Sequence, residues 1–132
     1  MAEPDSYEIS ALCYAVRTNR KHHENFIGSV WTDPMHDQDE PIAYYVWALT
    51  NANRTVVVDT GFDKAEWSRR TESSAGIWQC EYDLSPAEGL AGIGIDSRQV
   101  QDVIVTHLHY DHAGSLNDFP VARFHLQELE MQ

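Results

Sequence analysis

Apolar and polar side chains alternate in the first half of the chain in a way that predicts several short β-strands. Residues 7–16 predict a strand with one face in solvent, which we expect to be the edge strand that opens a sheet. Apolar, β-branched and aromatic runs at 42–50 and 55–59, separated by turn-forming residues, predict a β-hairpin. Its second strand ends at Asp59, which is a candidate site residue because functional groups commonly follow a buried strand in α/β sheets.

A long polar stretch, residues 17–41, separates the first strand from the hairpin. It contains many charges and the histidines His22, His23 and His36, and no helical period persists across it. It predicts a long loop, and long loops in compact domains tend to be functional or flexible. Its basic beginning, residues 17–23, is expected to be a solvated loop, with an active-site flap or a contact between the subunits of a homodimer as the alternatives.

The later part of the chain alternates strands with short helices. Ser85 can cap a helix, Pro86 suits its first turn and Glu88 can close a capping box, which predicts a helix over residues 86–91. Residues 102–106 form an apolar run that predicts a buried strand. The remaining predictions are a loop with a short helix at 63–82, one helical turn at 96–101, a helix at 113–119, a strand at 121–126 and the start of a helix at 127–132. This order predicts a mixed α/β sandwich.

Length and charge narrow the classes of function. A chain of 132 residues, 42% of them hydrophobic, is expected to form one globular unit. The formal net charge of -12 disfavours nucleic acids and anionic membranes as partners, and no apolar run approaches the roughly 20 residues of a transmembrane helix. The acidic start differs from the basic start of a signal peptide, so the cytoplasm is the expected compartment. Cys13 and Cys80 lack metal-ligand spacing and are expected to be buried thiols.

Residues 107–112 carry the strongest chemical signal. His107 and His109 lie two apart, so in an extended backbone their rings project to the same side and can bind one ion. Asp111 and His112 follow where the strand gives way to a helix, which aims a carboxylate and a third imidazole at the same cavity. Gly114 leaves room for backbone to pack closely behind them. The sequence therefore predicts a metal site.

Two interpretations of residues 107–112 that do not involve catalysis have less support. A chance cluster of solvated polar residues does not explain why an apolar strand leads directly into the histidines. A structural zinc site would more often use thiolates and close all four ligand positions with protein. In the catalytic reading, Asp111 is either a metal ligand or a group that orients the nucleophile and passes on its proton, and Asp59 orients a ligand histidine through a hydrogen bond. The alternative for Asp59 is a turn carboxylate at the strand end.

The segment from Thr106 to Gly114, with the sequence THLHYDHAG, resembles the HxHxDH signature of the metallo-β-lactamase superfamily. Two further segments, 56–62 (VVVDTGF) and 124–128 (FHLQE), together with Leu108 between the first two histidines, resemble the N-acyl-homoserine lactonase family. The similarity runs from about Tyr7 to the last residue.

This resemblance implies an αββα sandwich, of which residues 1–132 are the N-terminal part of a single domain. It also implies two zinc ions per complete site and the opening of a lactone ring by a metal-bound hydroxide, so the substrate is a small-molecule lactone or ester. His107 and His109 would bind the first metal, and Asp111 and His112 the second. Members of the family use three more ligands beyond this segment: a histidine, a carboxylate that bridges the metals, and a last histidine.

Those three ligands are not in the sequence at the family's distance from the motif. His22, His23, His36 and His125 are the substitutes that the chain offers, and His125 is expected to be structural or on the surface. We therefore expect a truncated chain that binds metal weakly, exposes about half of a two-layer core and is inactive alone, the activity belonging to its parent enzyme. The alternatives are another hydrolase of the superfamily, such as a thioester hydrolase or a β-lactamase, and a non-catalytic remnant or binding subunit.

Overall fold

The computed structural model describes residues 6–132, whose strands form one mixed sheet. In chain order the strands are β1 (Glu8–Arg17), β2 (Ile42–Thr50), β3 (Thr55–Val58), β4 (Cys80–Tyr82), β5 (Asp102–Val105) and β6 (Arg123–Leu126). Across the sheet their order is β4-β1-β2-β3-β5-β6. The pairs β4-β1, β1-β2 and β2-β3 are antiparallel, whereas β3-β5 and β5-β6 are parallel. The predicted mixed α/β architecture is confirmed.

The helices are short. They are α1 (His22–Asn25), α2 (Lys64–Ser73), α3 (Pro86–Gly92) and α4 (Tyr110–Ala113), with 3-10 turns at Ser97–Gln99, Leu116–Asp118 and Glu128–Met131. Within residues 6–132, no helix combines the length and the apolar character that crossing a membrane requires.

Two local predictions are confirmed in detail. The hairpin forms with Thr50 opposite Thr55, and its turn is closed by the amide of Asn51, which donates to the carbonyl of Arg54 at 3.0 Å. Helix α3 begins with the predicted capping box, in which the Ser85 hydroxyl accepts from the Glu88 amide and the Glu88 carboxylate accepts from the Ser85 amide. Both signals are local, because the turn residues Asn51 and Arg54 and the capping residues Ser85 and Glu88 are each three positions apart.

Strand β1 is not the edge strand that the pattern predicts. Strand β4 pairs with its C-terminal end, with Tyr82 opposite Ala15 and Cys80 opposite Arg17. A three-residue strand is too short to show an alternating pattern, so β4 was not predicted in the region 63–82, whereas the helix predicted there is present as the ten-residue α2. The long loop at 17–41 also contains the short helix α1.

The predicted helix at 113–119 is wrong in position. Helix α4 begins at Tyr110, inside the motif, and ends at Ala113, and a separate 3-10 turn follows at Leu116–Asp118. The amides of His112 and Ala113 both donate to the carbonyl of His109 at 3.0 Å, so the first helical turn uses the motif itself. The helix therefore sets the direction of the motif side chains.

One face of the sheet packs against the helices and the connecting segments. Two groups of buried residues form this core. The first contains Ala48, Val57, Leu90, Val100, Val103, Val105 and Phe119, and the second contains Tyr14, Ala15, Val46, Phe62 and Trp78. The Phe62 ring lies 5.1 Å from the Tyr14 ring, edge to face, and is fully buried. The second group therefore fixes the start of α2 against β1.

The opposite face of the sheet is open, although its side chains are apolar. Trp47, which is 41% exposed, lies opposite Ala11 on β1 and Val58 on β3. Ile9 and Ile104 on the same face are 64% and 40% exposed. Among the described residues nothing covers this face. The prediction that Cys13 is buried is wrong, because its side chain also lies on this face and is exposed.

A charged cluster interrupts the open face. The carboxylate of Asp102 is almost fully buried, and it accepts from His125 Nε2 at 2.8 Å and from Arg123 at 2.9 Å, with Arg54 at 3.4 Å. The hydrogen bond from His125 and the charges of both arginines hold the pKa of Asp102 below its ordinary value. His125 therefore has a structural partner, as expected.

The segment after β3 and the motif segment contact each other through backbone atoms. The amide of Thr60 donates to the carbonyl of His112 at 2.7 Å, and the amide of Gly114 donates to the carbonyl of Gly61 at 2.8 Å. A Cβ atom at Gly114 would lie 2.8 Å from the Gly61 oxygen and would also clash with the carbonyl of Tyr110. Only glycine permits this approach.

We predict that Asp102→Asn destabilises the protein more at pH 7 than at pH 3. A carboxyl whose folded pKa is lowered contributes stability above its unfolded pKa, about 3.9, and loses it as the pH falls through the folded value. The measurement is the midpoint of urea unfolding at the two pH values. Asp83→Asn, at an exposed position between β4 and α3, is the control. An equal destabilisation at both pH values would contradict the prediction.

We also predict that Gly114→Ala destabilises the fold by about 1–3 kcal/mol, because the added methyl forces two backbone segments apart. The control is Gly89→Ala in α3, where an added Cβ has no neighbour within 4 Å and the helix gains propensity. Chemical denaturation followed by tryptophan fluorescence measures both variants. Equal stability of Gly114→Ala and the parent chain would show that the two segments can move apart without cost.

Candidate metal centre

The motif residues follow β5 at its C-terminal end. The strand ends at Val105, and His107 to His109 continue without regular structure to the first residue of α4, Tyr110. The backbone of His109 is extended, with φ -64° and ψ 151°, and it caps the helix. Asp111 and His112 therefore lie on the first turn of α4, while His107 and His109 lie just before it.

The four motif side chains form two adjacent pairs. His107 Nε2 lies 3.1 Å from His109 Nδ1, and His112 Nε2 lies 3.4 Å from Asp111 Oδ2. The rings of His107 and His112 are 4.0 Å apart, so the pairs are neighbours. The structure therefore brings the four predicted residues together in one cluster.

Asp59 lies behind this cluster. It is 5% exposed, and its backbone has a positive φ of 61°. Its Oδ1 accepts from the amide of Thr106 at 2.8 Å, and its Oδ2 lies 2.7 Å from His112 Nδ1. When His112 donates through Nδ1, its Nε2 carries the lone pair and faces Asp111. The carboxylate thus has the position of a group that orients a histidine.

Thr106 is a second orienting residue, and sequence reasoning missed it. Its hydroxyl lies 2.9 Å from both carboxylate oxygens of Asp59 and 3.1 Å from His107 Nδ1. A hydroxyl that donates to Asp59 can still accept from His107 Nδ1, which leaves His107 Nε2 free for a ligand bond. A threonine at the end of a strand is ordinary for its β propensity, so its sequence position gave no separate signal.

Tyrosines and an arginine support the other side of the motif. The Tyr14 hydroxyl donates to the carbonyl of Asp111 at 3.2 Å, and burial raises the pKa of Tyr14, which keeps the donor protonated. The Arg70 guanidinium lies 3.3 Å from the centre of the Tyr110 ring, a cation–π contact. The Tyr44 and Tyr110 hydroxyls are 3.5 Å apart. None of these contacts follows from local sequence, because they join distant segments.

The donor set suits zinc, since imidazole nitrogen and carboxylate oxygen are ordinary zinc ligands. The motif nevertheless does not bring three ligand atoms together at one point. Within residues 6–132, three ligand atoms converge to within 4.8 Å at His23, His36 and Asp37, whereas the motif does not reach that convergence. His112 Nδ1 is held by Asp59, so His112 offers Nε2 to a metal and each motif pair offers two ligand atoms.

The histidines considered as substitute ligands lie elsewhere. His22, His23 and His36 are in the loop before β2, and His125 is bound to Asp102. No hydrogen bond or ion pair found in the described part of the chain connects any of them to the motif. The motif therefore has no replacement for the three further ligands among these residues.

Solved structures with this fold are enzymes of about twice the length. An AiiA mutant from B. thuringiensis, with N-decanoyl-L-homoserine bound at its active site, is 15% identical with a TM-score of 0.69, and the match covers 95% of this chain and 50% of that chain. A probable metal-dependent hydrolase from Staphylococcus aureus is 16% identical with a TM-score of 0.68, covering 98% and 50%.

A third structure, an N-acyl homoserine lactone hydrolase with the product N-hexanoyl-L-homoserine bound at its catalytic metal centre, is 15% identical with a TM-score of 0.67. It matches 96% of this chain and 50% of its own length. The chain thus spans about half of each of these structures, and at these identities the likeness shows the fold. It is the fold that the resemblance to the lactonases implied.

A search of curated protein sequences gives no match. A comparison with models of protein families does give one, and it agrees with the fold. The family model described as the metallo-beta-lactamase superfamily matches residues 39–128, which include the hairpin, Asp59 and the whole motif. Because this match extends over more than half of the chain, the chain belongs to the metallo-beta-lactamase superfamily.

Proposed function

We propose that residues 1–132 are the N-terminal part of a metal-dependent hydrolase domain that opens lactone rings. The observation that carries the proposal is the pairing of His107 with His109 and of Asp111 with His112, held from behind by Asp59 and Thr106. The lactone is suggested by the solved structures with homoserine-lactone products at their active sites.

In this proposal His107 Nε2 and His109 Nδ1 hold one zinc ion, and Asp111 with His112 Nε2 holds a second. Zinc, when bound, would polarise the lactone carbonyl and bring the pKa of a water molecule close to neutral. Asp59 keeps His112 in the tautomer that exposes Nε2. Thr106 does the same for His107 through its hydroxyl.

Asp111 has a second role in the proposal. Its side chain is half-buried beside His112 Nε2, so a carboxylate oxygen that does not bind metal can take a proton from the nucleophile and deliver it to the leaving alkoxide of the opened ring. Tyr14 fixes the backbone of Asp111 by its hydrogen bond to the carbonyl. The position of this carboxylate is therefore determined by contacts from β1 as well as from α4.

The remaining ligands are proposed to come from a second layer of the same domain. Zinc in a catalytic site commonly has three protein ligands, whereas each pair here offers two. The open apolar face of the sheet, with Trp47 and Ile104 exposed, is consistent with a covering layer. Alone, these residues are expected to bind zinc weakly and to lack activity.

We predict that Asp59→Asn weakens zinc binding by roughly 10- to 100-fold, because an amide can present its NH2 group to His112 and no longer selects the tautomer with a free Nε2. Competition with a chromophoric chelator measures the affinity. Asp102→Asn, which removes a buried carboxylate of the same sheet away from the motif, is the matched control. An unchanged zinc affinity in Asp59→Asn would contradict the proposed role of Asp59 in orienting His112.

We further predict that the longest product of the gene carrying residues 1–132 opens lactones in a metal-dependent manner. Proton release from a panel of lactones, thioesters and β-lactams is followed in a pH-stat before chelation, after chelation and after zinc is restored. Lactone opening should be lost on chelation and recovered with zinc.

The outcomes separate the parts of the proposal. Hydrolysis of thioesters or β-lactams without lactones would overturn the substrate class and leave the metal-dependent chemistry. Activity that chelation does not affect would overturn the metal assignment. Absence of all three activities in a zinc-loaded protein would favour a non-catalytic remnant.

A further inference from the structure

The loop between β1 and β2 is closed by its own hydrogen bonds. The amide of Glu40 donates to the carbonyl of Arg20 at 2.8 Å, and the amide of His22 donates to the carbonyl of Gln38 at 2.9 Å. Lys21 and Asp39 form a β-bridge, and their side chains form an ion pair at 2.5 Å. The two arms of the loop, residues 20–25 and 36–40, therefore lie side by side.

This closure brings His23 and His36 together although they are 13 residues apart. Their rings are stacked, with centroids 4.3 Å apart and planes inclined by 15°. Asp37 Oδ1 lies 3.8 Å from His23 Nδ1 and 3.9 Å from His36 Nε2. One ligand atom from each of the three side chains lies within 4.8 Å of the other two. The motif near β5 does not show this convergence.

We propose that His23, His36 and Asp37 form a second metal site, which binds a divalent transition ion such as Zn²⁺, Ni²⁺ or Cu²⁺. Two imidazole nitrogens and one carboxylate oxygen match the preferences of these ions rather than those of Mg²⁺ or Ca²⁺, which take oxygen ligands. The site belongs to the loop before β2, and its ligands are different residues from those of the motif.

Closing the site requires movement of Asp37 and reorientation of the two rings. Ligand bonds of about 2.0–2.2 Å in a tetrahedral site place the ligand atoms about 3.3 Å apart, so Asp37 Oδ1 must approach the rings by roughly half an ångström. The Asp37 side chain is 87% exposed and can rotate. The stacked rings must also tilt, since both nitrogen lone pairs have to aim at one ion.

The environment of His36 favours coordination. Its Nδ1 is buried and has no hydrogen-bond partner in the part of the chain that the structure describes. A ring that no hydrogen bond fixes at that atom can turn toward an ion at low cost. His23 Nδ1 donates to the carbonyl of His36 at 2.8 Å, so an ion that binds at this nitrogen would replace the donated proton and release that hydrogen bond.

The charge of the loop attracts a cation. Residues 20–40 contain five carboxylates, which are Glu24, Asp33, Asp37, Asp39 and Glu40, against one arginine and one lysine. This excess of negative charge raises the local concentration of divalent ions. His22, the neighbour of His23, is engaged by Glu40 and Asp33, so it supports the loop and is not needed as a ligand.

The test is nuclear magnetic resonance of the chain with isotope-labelled histidines, titrated with ZnCl₂. The imidazole signals of His23 and His36 should shift together and saturate at one equivalent for this site. The signals of His107, His109 and His112 report the motif separately, so failure of this proposal and failure of the proposed function are distinguishable. Zinc-dependent shifts confined to the motif histidines would overturn the second site.

Variants define the ligand set. His36→Gln should abolish the response of the His23 signal, and Asp37→Asn should shift it to higher zinc concentrations. His22→Gln is the matched control, because it removes a histidine of the same loop and should leave the response of His23 and His36 in place. A His23 response that persists in His36→Gln, or that is lost in a His22→Gln variant whose spectrum otherwise matches that of the parent chain, would overturn this assignment.

Discussion

The buried carboxylate of Asp59 is the interaction on which the candidate centre depends. A charge in this position is costly unless it is hydrogen-bonded, and Asp59 receives the amide and hydroxyl of Thr106 and the ring nitrogen of His112. The parallel pairing of β3 with β5, in which Val58 lies opposite Ile104, brings the ends of the two strands together so that these bonds can form. The positive φ of Asp59 is one that aspartate adopts more readily than most residues, so the strain is modest.

The approach of two backbone segments adds a steric constraint to this electrostatic one. Gly61 and Gly114 are hydrogen-bonded through backbone atoms, and Thr60 accepts the amide of Ser115 through its hydroxyl at 3.2 Å. Because the segment after β3 is bonded to the C-terminal end of α4, and Asp59 is bonded to His112 itself, Asp59 and His112 cannot move independently. The geometry of the motif therefore depends on β3, β5 and the segments that follow them, and not on the six motif residues alone.

Local signals in the sequence predicted the elements whose determinants are close together. The hairpin follows from two apolar runs around Asn51, the start of α3 from Ser85 and Glu88, and the four motif residues from their spacing. Elements and contacts that depend on residues far apart in the sequence were not predicted. Strand β4 exists because it pairs with the end of β1, and Tyr14 reaches Asp111 across 97 positions. Asp59 is intermediate, since its place at a strand end was readable while its bond to His112 required the parallel pairing of β3 and β5.

The loop before β2 also contains a contact that its sequence does not predict. His23 and His36 were visible in the sequence as members of a polar stretch, but their spacing of 13 residues has no metal-binding signature. Only the bonds that close the loop, such as that from Glu40 to Arg20, place the two rings face to face. Long loops are commonly treated as connections, yet one that is closed by its own hydrogen bonds can hold side chains as firmly as a strand end. The two proposed sets of ligand residues thus differ in what positions them, which is the sheet for the motif and the loop's own hydrogen bonds for His23 and His36.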